Sequence, residues 1–273
     1  MNLRAAVSAS DVTPMNILLD PSAHPVIGHR GNRAHAPENT LESFRQALAL
    51  GVDAVEFDLR VSKDGVLVVM HDPALERTTN ATGPVAARTV AELQSIDAGV
   101  NFTTDGGRTF PYRGRNIAVP TFDEVVETVR TVPMIIELKT TSATELIRAA
   151  VKRHNIADRV VVAGFDWRAI HPLRGAGFAL GSSSKDSMLL LPNAFLRRPA
   201  KPQQFQTVNI PPSWNGIPVP FRLLTKSLSA QRIPVHVWTI NTASEAERLW
   251  DAGVCGIISD DPAVIIAARD ARF

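Results

Sequence analysis

Cysteine and tyrosine each occur once in 273 residues, and nowhere does the chain hold an apolar run long enough to cross a bilayer. The lone Cys255 excludes an internal disulfide framework and fits a reducing compartment. Its place in the apolar run from Ala252 to Ile258 reads as a small buried hydrophobe, not a nucleophile. A spanning helix needs roughly 18 or more consecutive apolar residues, so no stable membrane insertion is expected. The first 24 residues carry one arginine and no compact apolar segment, so they read as a loose N-terminal extension, not a signal peptide. Together with the lone cysteine this predicts a cytoplasmic protein. Charge is also nearly balanced: 29 Lys and Arg face 27 Asp and Glu, a net charge of +2. The densest basic spot, Arg197, Arg198 and Lys201, reads as a solvated face, and no nucleic-acid partner is indicated. Internal repeats and low-complexity segments are absent, and no pattern specifies an oligomeric state.

What is present is an ordinary globular composition, 45% apolar and 21% charged. The length suits one large single-core domain and is too short for two enzymatic ones. From Val26 onward, short β-branched runs alternate with segments of helical apolar spacing, such as Leu41, Phe44, Ala47 and Leu48. The strand-like runs are 26–29, 54–61, 134–139, 160–165, 178–182, 207–210, 235–240 and 256–259. A ninth run, 66–70, follows residue 61 through Ser62-Lys63-Asp64-Gly65. Asp-Gly is a hairpin signal, and so short a connection cannot reach a parallel neighbour. The ninth run is therefore antiparallel and outside the count. Eight βα units predict an α/β fold, a (β/α)8 TIM barrel over residues 25–273, preceded by the extension 1–24. A small insertion after the second strand, about 72–120, is expected over the active-site mouth, with a short helix around 89–96. Residues 189–205, with Pro192, Pro199 and Pro202, read as an irregular lid or connector.

Glu56 and Asp58 stand two apart in a predicted strand, so both carboxylates face one space. Buried carboxylates are costly unless paired, and a hard divalent cation with oxygen ligands accounts for them. Glu137 and Lys139 repeat the spacing on another strand. His29-Arg30-Gly31, His71-Asp72 and Trp238-Thr239 also fall at strand ends. In such barrels the C-terminal strand ends converge on the active site. Asn39 and Thr40 read as helix caps, Glu38 as a residue of the first helical turn, and Asp72 as either a partner of His71 or a loop cap. His35, His154 and His171 read as surface or loop residues, and His236 as facing the same way as Trp238.

Read together, these residues resemble the glycerophosphodiester phosphodiesterase family. The resemblance rests on His29-Arg30-Gly31, Pro37-Glu38-Asn39-Thr40, Gly51-x-Asp53-x-x-Glu56-x-Asp58, His71-Asp72, Arg77-Thr78-Thr79 and Asp97-Ala98-Gly99. It continues through Pro120-Thr121, Glu137-x-Lys139, Val237-Trp238-Thr239 and Gly253-x-x-Gly256-Ile257-Ile258-x-Asp260. It implies one divalent cation, Ca2+ or Mg2+, on Glu56, Asp58 and Glu137. It also implies His29 and His71 as general acid and base, Arg30 and Lys139 on the phosphate, and Trp238 lining the pocket. The expected substrate is a small glycerophosphodiester, cleaved to glycerol 3-phosphate and an alcohol, by way of a cyclic phosphate. The chain departs from the family at Gly164-Phe165-Asp166, where a serine often precedes Phe-Asp, and over 181–198. The first is expected to loosen one wall of the pocket without touching the chemistry, and the second to shape the alcohol-binding side. One alternative is a lysophospholipase D-type enzyme with an apolar groove built from Phe195, Leu196, Phe205 and Trp214. A noncatalytic barrel binding a phosphorylated metabolite would lack a histidine or carboxylate, and none is missing. An aldolase or isomerase would not need the carboxylate triplet.

Overall fold

A computed structural model describes residues 16–273. Its strands are β1 Val26–His29, β2 Ala54–Val61, β3 Leu67–Val69, β4 Met134–Leu138, β5 Val160–Ala163 and β6 Ala179–Leu180, followed by β7 Val208–Ile210, β8 Ser213–Trp214, β9 Ile217–Pro218, β10 Val235–Val237 and β11 Gly256–Ser259. Eight of them form a parallel sheet in the order β6-β5-β4-β2-β1-β11-β10-β7. A parallel bridge from Gly181 to Thr207 joins its two ends, where the Ser182 amide donates to the Thr207 carbonyl at 2.9 Å. The TIM barrel expected from the alternation of strands and helices is present. β3 pairs antiparallel with the end of β2, as the Asp-Gly turn predicts.

The helices are α1 Leu41–Ala49, α2 Val90–Gln94, α3 Phe122–Thr128, α4 Thr144–His154, α5 Trp167–Ile170, α6 Ser184–Phe195, α7 Phe221–Leu228, α8 Ala243–Asp251 and α9 Pro262–Asp270. Most of their starts are written in side-chain caps, those of α4, α7 and α9 excepted. Thr40, Thr89, Thr121, Ser183 and Thr242 each accept a backbone N–H from the first turn. α6 corrects one expectation, because residues 189–195 of the segment read as irregular are helical and Pro192 lies inside that helix. Segment 72–120 packs Leu75, Val85, Leu93, Ala98 and Val119 together against Val68 and Met70 at β3. Among the described residues no helix is long and apolar enough to cross a membrane.

Small and branched side chains fill the barrel: Ile27, Ala54, Ile135, Val161, Ala163, Ala179 and Ile258. Leu18 joins them from below, fully buried. Residues 1–15 lie outside the described residues, but 16–24 are not loose. Leu18 closes the floor of the barrel, and its carbonyl accepts a 2.9 Å hydrogen bond from Nε2 of the buried His236. His236 is thus a structural residue of the barrel interior.

This histidine carries a pH dependence. Burial holds its pKa down at about 4, against an ordinary 6.5. Below the ordinary value the unfolded ring takes a proton that the folded ring refuses. Stability is therefore full at higher pH and falls as pH drops toward 4, by about 2 kcal/mol at roughly pH 5. His236→Gln can keep the bond to Leu18 and has no such titration. In urea unfolding at about pH 8 and pH 5, the variant is expected to lose about 2 kcal/mol less than the wild type on acidification. Equal losses would contradict the assignment.

Candidate active site

The carboxylates, both predicted histidines and both predicted cations meet at the C-terminal end of the barrel. β1 ends on His29, whose neighbour Arg30 and the next residue Gly31 both have positive φ, 51° and 91°. Two left-handed residues in succession turn the chain sharply, and a Cβ at position 31 would run into Ser43. The turn returns the Arg30 side chain over the barrel, where its Nε lies 3.1 Å from Asp58 Oδ2. The β2–β4 register places Asp58 beside Glu137, and the β1–β2 register places His29 beside Glu56. His71 follows β3 into the mouth, its backbone carbonyl gripped by Nε and Nη2 of Arg60 at 2.9 and 2.6 Å.

Glu56, Asp58 and Glu137 present oxygens that all lie within 4.8 Å of one another. Glu56 and Asp58 are nearly inaccessible, at 6% and 1% exposure. Burial, then the Asp58 and Glu137 charges, pushes the Glu56 carboxyl well above its usual range. Glu137 is pushed up to about 7 by burial and by Asp58. Asp58 goes the other way: burial raises it, but Lys139, Arg30, His71 and the Asn39 amide together outweigh that. Asp58 Oδ1 lies 3.0 Å from Lys139 Nζ yet accepts no well-angled hydrogen bond among the described residues. Three crowded carboxylates with an orphaned oxygen fit a hard divalent cation, which these three residues would hold. Lys139 donates to Glu137 at 2.6 Å, and the Asp58 and Glu137 charges raise its pKa against the effect of burial.

Each predicted histidine has a carboxylate on Nδ1. Asp260, just past β11, is 2.6 Å from His29, and Asp72 is 2.6 Å from His71. An Nδ1–H held this way leaves Nε2 to face the site. Burial lowers the His71 pKa despite the raising influence of Asp58 and Asp72. Asp72 itself lies at about 2, held down first by Arg77.

Asn39 and Glu38 behave differently from the sequence reading. Thr40 alone caps α1, while Asn39, at φ 59°, turns its amide to donate to Asp58 at 2.8 Å. Glu38 lies ahead of the helix and accepts from Arg30, Arg33 and Arg77. A position before a helix is occupied equally well by a cap or by a site residue, and only the neighbouring strand separates them.

A cavity of about 260 Å³ opens from these groups toward β5–β7 and β10. Phe165, Ser182, Ser187, Asn209, Trp214 and Trp238 line its far side. Trp238 meets Phe165 edge to face, with ring centroids 5.6 Å apart.

A family model described as the glycerophosphoryl diester phosphodiesterase family matches residues 29–264. The chain belongs to this family. It is accordingly a phosphodiester hydrolase. A glycerophosphodiester phosphodiesterase of Caldanaerobacter subterraneus subsp. tengcongensis is 30% identical over 256 residues, covering 88% of this chain and 96% of the relative. Among solved structures, a glycerophosphodiester phosphodiesterase from Agrobacterium tumefaciens is 25% identical with a TM-score of 0.72, covering 89% of this chain and 99% of that one. An Oleispira antarctica phosphodiesterase, solved in complex with the product sn-glycerol-3-phosphate, is 26% identical with a TM-score of 0.72, covering 91% of this chain and 97% of that one. In this family member, the eight predicted residues form one continuous group, and around it stand Asp260, Asn39, Glu38, Arg33 and Arg77, to which the sequence reading gave no site role.

Proposed function

We propose that this hydrolase cleaves glycerophosphodiesters to sn-glycerol 3-phosphate and an alcohol, with His29 and His71 moving the protons. The observation that carries the reading is the pair of imidazoles, each backed by a carboxylate at 2.6 Å, flanking one cluster of three carboxylates. Glu56, Asp58 and Glu137 would hold a divalent cation, Ca2+ or Mg2+, which would supply charge neutralisation for the phosphoryl oxygens. Arg30 engages phosphate oxygens through its planar guanidinium and Lys139 as a point charge. One histidine accepts the proton of the glycerol 2-hydroxyl as its oxygen bonds to phosphorus. The other protonates the departing alcohol oxygen as its bond to phosphorus breaks. The products of this half are the alcohol and a glycerol cyclic phosphate. In the second half the histidines exchange roles: one takes a proton from water as it attacks, and the other returns one to the glycerol oxygen.

Of the residues expected to form a lipid groove, only Trp214 lines the cavity; Phe205 is buried, and Phe195 and Leu196 are exposed. The cavity volume of about 260 Å³ favours a compact alcohol over an acyl chain.

The test is incubation with glycerophosphocholine and assay of glycerol 3-phosphate, beside an analogue whose neighbouring hydroxyl is removed. Release of glycerol 3-phosphate is expected, with the analogue hydrolysed at least about 100-fold more slowly, since an oriented internal nucleophile is lost. Equal rates would remove the cyclic intermediate, and no release would remove the glycerophosphodiester assignment.

A further inference from the structure

The two histidines lie on different segments, yet one chain of ion pairs connects them. His29 Nδ1 meets Asp260 at 2.6 Å. Arg33 Nη1 donates to both oxygens of Asp260 at 3.1 and 3.0 Å, and its Nε donates to Glu38 Oε2 at 3.0 Å. Arg77 donates to both oxygens of Glu38 at 2.8 and 2.6 Å, and through Nε to Asp72 at 2.5 Å. Asp72 completes the path to His71 Nδ1 at 2.6 Å. Read in order, the chain is histidine, aspartate, arginine, glutamate, arginine, aspartate, histidine. It is symmetric about Glu38.

We propose that Glu38 is a positioning residue that sets both imidazoles at once, by holding the two arginines that hold their aspartates. This rests on the proton-transfer reading of His29 and His71. Three observations favour it over a plain surface network. Glu38 is the most buried member between the histidines: its side chain is 9% exposed, against 35% for Arg33 and 44% for Arg77. Exposed ion pairs do little for stability, whereas a buried carboxylate shared by several guanidiniums fixes geometry. Glu38 also takes Arg30 Nη1 at 2.7 Å, so the same carboxylate sets one phosphate-binding cation. Finally, the path draws on chain segments that are otherwise independent: the turn after β1, the loop after β3 and the end of β11. An imidazole needs its Nδ1–H fixed to present Nε2 for proton transfer, and a carboxylate can do that only if it is itself held.

Proton NMR reads the proposal without depending on turnover. Nδ1–H protons hydrogen-bonded to Asp260 and Asp72 give low-field resonances, assigned by their loss in Asp260→Asn and Asp72→Asn. In Glu38→Gln both resonances are expected to shift upfield or vanish into solvent exchange. In Arg77→Lys only the His71 resonance is expected to move. The corresponding kcat for a glycerophosphodiester is expected to fall by about 10- to 100-fold in Glu38→Gln. Its loss is expected to be smaller in an Asp72→Asn or Asp260→Asn background than in the wild type. Both resonances unmoved in Glu38→Gln would overturn the proposal, as would Arg77→Lys moving the His29 resonance alone. Should Glu38→Gln not fold, Glu38→Asp, which keeps the charge but shortens its reach, takes its place: both resonances are expected to move, and both unmoved would overturn the proposal. Movement of both resonances in a protein that hydrolyses no glycerophosphodiester would leave the coupling standing and remove the functional reading instead.

Discussion

His29→Gln is expected to lower kcat toward a glycerophosphodiester by about 10²- to 10⁴-fold, and His71→Gln by a similar factor. Glutamine keeps much of the size and hydrogen-bonding capacity but cannot exchange a proton near neutral pH. His29 is 8% exposed and His71 about one-third exposed at its side chain, so both are close enough to solvent for substrate and water to reach. Each is tied through Nδ1, which leaves Nε2 for the reaction; for His29 that atom lies 3.8 Å from Glu56, on the cation side. Because the two rings act in the same step, the double variant is expected to lose little more than the worse single one. Steady-state kinetics on the three variants checks this, with folding followed by near-ultraviolet circular dichroism. Full activity in either single variant would sink the assignment of that ring.

The second large effect concerns Glu56. Exhaustive chelation is expected to abolish activity, and Glu56→Gln to be inactive at any concentration of Mg2+ or Ca2+. The two proteins should part company in thermal unfolding. For the wild type, cation present at about 100 times its dissociation constant adds roughly 2.7 kcal/mol by mass action. The variant lacks one of three ligands and gains little. With chelator the order reverses: the neutral amide relieves the crowding of Glu56 against Asp58 and Glu137, so Glu56→Gln melts at or above the wild type. The sign follows from the raised pKa values of Glu56 and Glu137, which mark both carboxylates as destabilised when ionised. A wild type whose melting temperature and activity ignore both chelator and added cation would end the metal assignment.

The barrel and the meeting of its strand-end residues were legible because their signals are local. Glu56 and Asp58 lie two apart on one strand, and that period alone puts them on one face. The Asp64-Gly65 turn told β3 from a ninth barrel strand. Less visible were residues whose meaning lies in a distant partner. Asp260 is 231 residues from His29, and nothing in its own neighbourhood says that it backs an imidazole. Its signs in the sequence were its place just past the last strand and its membership of the Gly253-x-x-Gly256-Ile257-Ile258-x-Asp260 motif, neither of which names a partner. Glu38 and Asn39 precede a helix, where acidic and amide residues are common for capping reasons, so the local rule masked the tertiary one. Leu18 was hidden differently: a short apolar cluster near the start of a chain has no periodicity to distinguish a floor plug from a tail.

The bridge from Gly181 to Thr207 has a further consequence for how this barrel can change. On the side of β1, β2 and β4 the ladders are continuous, and the histidines, the carboxylates and Lys139 stand on or beside them. On the opposite side the ring is stitched together where a two-residue strand meets its neighbour, and Ala163, Ser182 and Asn209 line the cavity there. The molecule thus separates a continuous hemisphere carrying the charged cluster from a seamed one carrying much of the cavity wall. Exchanges of side chain near the seam are expected to reshape the cavity wall while the histidines and carboxylates across the barrel keep their arrangement.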